Sequence, residues 1–214
     1  MDRLNPKGLR MLVVFDLDGT VVDSTRALLE AHDAAWASVG LNRPPDQAIL
    51  ELVGLPLIDT MRMLLPDGDH EAMAETYSQA YVRVAPTHER LFDGVTELLK
   101  RSFRAAVATG KSQVGAERVV KQFGLVERFE IVLGGDSVPR PKPNPDLLHA
   151  IMKATNTQQQ DLVMIGDTTY DLEMAQAAGV KAIGVSWGHH DTQRLRKWAP
   201  VVDSVDELTR LLGV

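Results

Sequence analysis

The chain has 214 residues, 44% hydrophobic and 24% charged, a balance typical of one large globular domain or of one domain with an insertion. Its formal net charge of −6 argues against binding to nucleic acid or to an anionic membrane, and no apolar run reaches the roughly 18 residues of a membrane-spanning helix. The chain has no cysteine, which excludes disulfides, thiolate catalysis and cysteine-bound metals and is consistent with a cytoplasmic location. The polar first residues are not typical of a signal peptide.

The first predicted element is a buried strand over residues 11–15, an apolar run. Asp16 and Asp18 stand at its end, and Gly19 then turns the chain. An isolated Asp-x-Asp pair is most often a solvated turn, but the ends of strands in open α/β sheets are where ligands bind. Crowded carboxylates repel each other unless a cation or a proton lies between them. The segment therefore predicts a hard-cation site, a nucleophilic carboxylate, or both.

The next segment, residues 22–88, is predicted to be entirely helical, because its apolar residues recur at helical spacing between Gly and Pro breaks. It is much longer than a crossover between two strands requires. We therefore expect an inserted all-helical subdomain at 22–88, with residues 1–21 and 89–214 forming the core.

Four further strands are predicted after the insertion, and their apolar runs are continuous rather than alternating, at 104–108, 129–133, 162–165 and 182–185. Continuous apolar strands are typical of a parallel sheet covered on both faces. Helical stretches lie between them, at the spacing of βαβ units. The predicted fold class is α/β, a doubly wound parallel sheet with the helical insertion.

Polar motifs follow three of these strands. Thr109 and Gly110 could offer a hydroxyl and main-chain N–H groups to an anion, although Thr109 alone would also suit a helix N-cap. Lys142 lies between two prolines, which restrict the main chain, although a Pro-rich surface loop would have the same pattern. Asp167 and Asp171 lie on one side of a first helical turn, where an Asp N-cap is the simpler interpretation of the segment alone.

Together and in this order, the four motifs resemble those of the haloacid dehalogenase superfamily, over essentially the whole chain. The resemblance is greatest to its phosphoglycolate phosphatase-like branch, in which a small helical cap follows the first motif. It implies a Rossmann-like core with an inserted helical cap.

The resemblance also implies roles in catalysis and phosphate binding. Asp16 would be the nucleophile that forms a phosphoaspartate, and Asp18 the general acid and then the general base. Thr109, Gly110 and Lys142 would hold the phosphate.

For the metal, the resemblance implies Mg²⁺ bound by a carboxylate oxygen of Asp16, the main-chain carbonyl of Asp18, and Asp167. Asp171 would act through a metal-bound water or orient Lys142. Mg²⁺ commonly keeps several waters and few protein ligands, which fits this small set.

The expected activity is hydrolysis of a small phosphorylated metabolite, a phosphate monoester resembling 2-phosphoglycolate. The resemblance also implies that a haloacid dehalogenase would lack the second aspartate, which is present here as Asp18. It implies that a phosphonatase would have a lysine in its cap, whereas this chain has no lysine between Lys7 and Lys100. A sugar phosphomutase, a pyrophosphatase, a nucleotidase and a non-catalytic binding protein remain as alternatives. The protein is expected to be a monomer or a homodimer.

The aromatic residues and the two adjacent histidines are expected to have structural rather than ligand-binding roles. Trp36 and Tyr77 fall within helical stripes and are expected in the core of the insertion. Trp187 is expected to pack near the site. His189 and His190 are adjacent, an arrangement that suits metal ligation poorly, and they are expected in a solvated loop.

Overall fold

The computed structural model describes residues 11–214, so the first ten residues of the predicted core lie outside the described residues. A parallel sheet of six strands runs through the centre, in the order β5-β4-β1-β6-β7-β8. Its strands are β1 Leu12–Phe15, β4 Arg104–Ala108, β5 Val132–Leu133, β6 Leu162–Gly166, β7 Lys181–Val185 and β8 Val201–Val202. A short antiparallel pair stands apart from it, β2 Val22–Asp23 and β3 Arg90–Leu91.

Helices cover both faces of the sheet, because successive side chains of a strand point to opposite faces. Val13 and Phe15 of β1 pack on one face, against α5 Val95–Leu99, α6 Gln113–Gln122 and α10 Val205–Leu212. Leu12 and Val14 pack on the other, against α7 Asp146–Thr155 and α8 Thr169–Ala177. The short helix α9, Thr192–Leu195, follows β7. The predicted α/β fold with a doubly wound parallel sheet is therefore confirmed.

Four helices occupy residues 25–88, here termed the helical segment: α1 Thr25–Ser38, α2 Asp46–Leu50, α3 Leu57–Leu64 and α4 His70–His88. They enclose a hydrophobic cluster of their own, in which α1 packs along α4 through Ala31, Trp36, Met73 and Tyr77. Trp36 and Tyr77 are buried there, as predicted. The exact division of the chain at 22–88 stays a prediction.

Four strands differ from expectation. The strand predicted at 129–133 is reduced to β5, because a 3₁₀ turn at Val126–Arg128 precedes it and Phe129 turns into the core beside Phe15. The pair β2–β3 joins residues 67 apart in sequence at Asp23 and Arg90, and β8 has only two residues. Strands this short carry too little periodicity for recognition in the sequence.

No helix among residues 11–214 combines the length and the apolar character needed to cross a membrane.

Candidate active site

The carboxyl ends of β1, β4 and β6 bring the predicted motifs together. The register pairs Phe15 with Val107 on one side and with Ile165 on the other. Asp16 follows directly and donates its main-chain N–H to the carbonyl of Ile165 at 2.9 Å. Thr109 directly follows β4 and Asp167 directly follows β6, at the same edge of the sheet. The parallel register therefore places these side chains around Asp16.

Asp16 is 1% exposed, and neither of its carboxylate oxygens has a hydrogen-bond partner among residues 11–214. Lys142 Nζ lies 3.0 Å from Oδ1, close enough for an ion pair but not aligned for a hydrogen bond. Burial raises the pKa of Asp16 to about 7; Lys142 opposes this increase, while Asp171, Asp167 and Asp18 add to it. A buried carboxylate with unbonded oxygens and acidic neighbours is suited to binding a cation.

The side chain of Lys142 is buried and lies beside the carboxylates of Asp16 and Asp171. Its ammonium group donates to Asp171 Oδ1 at 2.5 Å and faces Asp16. Burial alone would lower the pKa of Lys142, but Asp16 and Asp171 raise it above its usual range, so the amine remains charged. The peptide bond from Lys142 to Pro143 is cis.

Asp171 does not stand free at the start of α8. Its Oδ2 accepts from the main-chain N–H of Thr168 at 3.1 Å and from the Thr168 hydroxyl at 2.7 Å, which makes a capping box. Thr168 is therefore the N-cap of α8, and the carboxylate of Asp167 takes no part in capping this helix. The sequence-based alternative of an Asp167 N-cap is wrong.

Asp167 is completely buried and accepts three hydrogen bonds. Thr20 Oγ1 donates to Oδ1 at 2.8 Å, and His189 donates to Oδ2 through both its main-chain N–H, at 2.8 Å, and its ring Nδ1, at 3.0 Å. Burial tends to raise the pKa of Asp167, but the bonds from His189 and Thr20 lower it below its usual range. Asp167 is therefore ionised at neutral pH.

The carboxylate of Asp18 contacts Ser24 and Lys111. Ser24 Oγ donates to its Oδ1 at 2.6 Å, and Lys111 Nζ lies 3.1 Å from its Oδ2. The turn requires Gly19, which has φ of +83° and whose Cβ would overlap the side chains of Asp167 and His189.

Thr109 is 1% exposed at the end of β4 and does not cap the following helix, because Ser112 caps α6 by accepting from the N–H of Gly115. A Cβ at Gly110 would overlap the carbonyl oxygen of Gly54 in the helical segment. The turn after β4 thus borders both the carboxylates and the helical segment.

The expectation that His189 and His190 lie in a solvated loop is wrong, since both side chains are buried. His190 accepts from the N–H of Thr169 at its Nδ1 and donates from Nε2 to the carbonyl of Glu51, both at 3.0 Å. Each histidine depends on a residue remote in sequence. The available signal was position, because both follow the end of β7 at the ligand-binding edge of the sheet.

The acidic cluster fits a divalent cation. Asp16, Asp167 and Asp171 each offer a carboxylate oxygen, and these three atoms lie within 4.8 Å of one another. Oxygen ligands are those that hard divalent cations prefer, and the oxygens of Asp16 accept no hydrogen bond from residues 11–214. Asp16 and Asp167 belong to the predicted ligand set; Asp171 was predicted to act indirectly.

A cavity of about 530 Å³ opens above these carboxylates. Asp16, Asp18 and Thr109 line its floor, and α1, α3 and α4 of the helical segment contribute to its walls. A ligand bound to the carboxylates would therefore extend between the core and the helical segment.

The sequence model of haloacid dehalogenase-like hydrolases matches residues 13–185. The chain belongs to this family. It is 37% identical to the "Probable phosphatase IndB" of Dickeya dadantii, over 96% of this chain and 93% of that protein. It is 32% identical to the "Phosphoglycolate phosphatase" of Neisseria meningitidis, over 84% of this chain and 81% of that protein. The predicted resemblance to the family is confirmed.

Among solved structures, the fold is similar to that of a predicted phosphatase from Clostridium acetobutylicum, with a TM-score of 0.85. The two sequences are 25% identical, and the match covers 96% of this chain and all of that one. The similarity extends over both the sheet and the helical segment of this haloacid dehalogenase-like hydrolase.

Proposed function

We propose that the protein is a Mg²⁺-dependent phosphatase that hydrolyses a small phosphate monoester through a phosphoaspartate on Asp16. The observation that carries this proposal is the state of Asp16, a buried carboxylate with two unbonded oxygens beside the Lys142 ammonium group. The phosphatase names of two relatives support the same reaction class. We also propose a small phosphorylated metabolite, rather than nucleic acid or a membrane, as the binding partner.

In the first half-reaction, a carboxylate oxygen of Asp16 attacks phosphorus, and the bond between phosphorus and the leaving oxygen breaks. Asp18 gives its proton to that oxygen, so the alcohol departs neutral. Lys142, Thr109 and the main-chain N–H groups of the turn compensate the charge of the phosphoryl oxygens.

In the second half-reaction, Asp18 removes a proton from water while the water oxygen attacks phosphorus. The bond between phosphorus and the Asp16 oxygen breaks, which releases inorganic phosphate and restores both carboxyl groups. Asp16, Asp167 and the main-chain carbonyl of Asp18 would hold Mg²⁺, which when bound neutralises phosphate charge next to the nucleophile.

The test is partitioning of the phosphoryl group between water and added methanol, measured with three monoesters that have different leaving alcohols. A covalent intermediate on Asp16 is the same species for all three, so the ratio of methyl phosphate to inorganic phosphate should be constant. A ratio that changes with the leaving alcohol would contradict a common phosphoaspartate. Phosphate release that persists in excess chelator would contradict the Mg²⁺ requirement.

A further inference from the structure

The cavity above the carboxylates is too large for a two-carbon leaving group alone. Its volume of about 530 Å³ lies within the range of sites for drug-sized ligands, roughly 300–1,000 Å³. The carboxylate-lined floor holds the phosphoryl group in the proposed reaction. The remaining space, which extends to the walls formed by the helical segment, is available to the leaving group.

These walls are largely apolar. The helical segment contributes aliphatic side chains from α1, α2, α3 and the turn before α3, namely Leu28, Ile49, Leu52, Val53, Leu57 and Ile58. Apolar walls favour apolar ligand surface, by about 25 cal/mol for each Å² removed from water. They also penalise an ionised group that enters without a partner.

Every cation that lines the cavity among residues 11–214 is already paired. Lys111 Nζ lies 3.1 Å from Asp18 Oδ2 and also 4.2 Å from the centre of the Tyr81 ring. Arg118 makes a two-bond ion pair with the buried Glu89, at 2.6 and 3.0 Å. In this structure, therefore, each cation of residues 11–214 that a carboxylate on the leaving group would meet outside the phosphate site already faces an acidic side chain.

Two polar side chains in the wall lack partners among the described residues. His32 is 3% exposed, and its Nδ1 has no hydrogen-bond partner. The pKa of His32 is lowered to about 4, mainly by burial and to a smaller extent by the charge of Arg43. The ring is therefore neutral at pH 7. The hydroxyl of Tyr77 makes no hydrogen bond within residues 11–214, and the two rings meet edge-on, with centroids 4.9 Å apart. Both residues line the cavity.

We propose that the leaving group of the substrate is uncharged and largely apolar, of the size of an aromatic ring, with a polar atom recognised by His32 and Tyr77. This proposal rests on the proposed phosphatase activity and replaces the 2-phosphoglycolate expected from the sequence. Neutral partners such as imidazole and phenol can bind a hydroxyl or carbonyl without the cost of burying a charge.

The first experiment compares 2-phenylethyl phosphate with 2-phosphoglycolate and glycerol 3-phosphate. All three are esters of primary alcohols, so differences in leaving-group chemistry contribute little. With Mg²⁺, kcat/KM for 2-phenylethyl phosphate should exceed the other two by at least about tenfold, equivalent to about 1.4 kcal/mol. A preference for 2-phosphoglycolate would overturn the proposal.

Binding to Asp16→Asn, measured by isothermal titration, separates the two proposals because it requires no turnover. Tighter binding of 2-phenylethyl phosphate than of 2-phosphoglycolate supports the apolar leaving group even if the wild type releases no phosphate, a result that would contradict only the phosphatase activity. If Asp16→Asn binds the two esters equally, or binds neither detectably, the leaving-group proposal is overturned. Release of phosphate by the wild type would still support a phosphatase.

A charge placed in the wall should reverse the preference. Ser78 is exposed on α4 and lines the cavity, whereas its neighbour Gln79 is exposed on α4 but does not line it. Ser78→Lys should raise kcat/KM for 2-phosphoglycolate relative to 2-phenylethyl phosphate at least tenfold, and Gln79→Lys should leave the ratio unchanged. Equal ratios in both variants would count against the proposed position of the leaving group.

The polar end is tested with the three ring-hydroxylated isomers of 2-phenylethyl phosphate. At least one isomer should bind more tightly than the parent, and the gain should disappear in Tyr77→Phe or His32→Phe, which keep an aromatic ring. If no isomer gains, or if the gain survives both substitutions, His32 and Tyr77 do not recognise the leaving group.

Discussion

His189 bonds one oxygen of Asp167 twice, through its main-chain N–H at 2.8 Å and its ring Nδ1 at 3.0 Å. Because an ionised carboxylate only accepts, the ring must donate from Nδ1, and its Nε2 lies 3.3 Å from Thr25 Oγ1. Both bonds go to Oδ2, while Oδ1 accepts, within the described part of the chain, only from Thr20. The histidine thus fixes the carboxylate with Oδ1 available to a cation.

Removing the ring of His189 is predicted to weaken metal binding. In His189→Leu, the Mg²⁺ concentration for half-maximal activity should rise by about 10- to 100-fold, the usual effect of losing a hydrogen-bond partner of a metal ligand. His149→Leu, at an exposed position on α7, is the control. An unchanged Mg²⁺ requirement in His189→Leu would show that Asp167 needs no such support.

Replacing the nucleophile is predicted to abolish turnover while the fold is kept. Asp16→Asn is nearly isosteric and removes the charged oxygen needed for attack. We expect kcat to fall by more than about 100-fold, or about 3 kcal/mol of barrier. Phosphate release under saturating Mg²⁺ measures the effect, and circular dichroism monitors the fold. Retention of more than about a hundredth of kcat would mean that another group attacks phosphorus.

The position of Asp16 could be predicted because its determinants are local, namely an apolar strand, a carboxylate at its end and a glycine turn. The same holds for Thr109 and Asp167, since the ends of parallel strands meet at one edge. His189 and His190 could not be predicted from local pattern, because their burial depends on Asp167 and on Glu51, the latter 139 residues away. The strands β2 and β8 are stabilised by distant pairing partners rather than by their own two residues.

Asp167 and Asp171 should affect metal dependence unequally. Asp171 Oδ1 already accepts from the Lys142 ammonium group, and its Oδ2 accepts two bonds from Thr168. Asp167 Oδ1 accepts from the neutral hydroxyl of Thr20. Asp167→Asn should therefore raise the Mg²⁺ requirement more than Asp171→Asn. Titration of activity with Mg²⁺ measures both variants.

Asp171→Asn serves as the matched control for Asp167→Asn, because it removes the same charge from the same cluster. An equal or larger increase in the Mg²⁺ requirement for Asp171→Asn would indicate that Asp171 binds the cation directly.

Ca²⁺ should inhibit the wild type, since its larger coordination shell could engage both oxygens of Asp16.

Acidification should destabilise the helical segment through His32. Its pKa is about 4 in the folded protein, lowered mainly by burial, against about 6.5 when unfolded. The unfolded chain therefore binds the proton first as the pH falls below about 6.5, and the stabilising contribution of the neutral ring decreases down to pH 4. Between pH 7 and pH 5 the expected loss from this residue is about 2 kcal/mol.

Urea unfolding of the wild type and of His32→Phe at both pH values isolates this contribution, because the other titrating groups are common to the two proteins. His32→Phe keeps a ring against Trp36 and Tyr77, whose centroids lie 5.4 and 4.9 Å from the imidazole. The variant should lose less stability than the wild type on acidification. If both proteins lose the same free energy of unfolding, His32 is hydrated or hydrogen-bonded in solution, and its neutral ring would then have no unpaired atom to offer the leaving group.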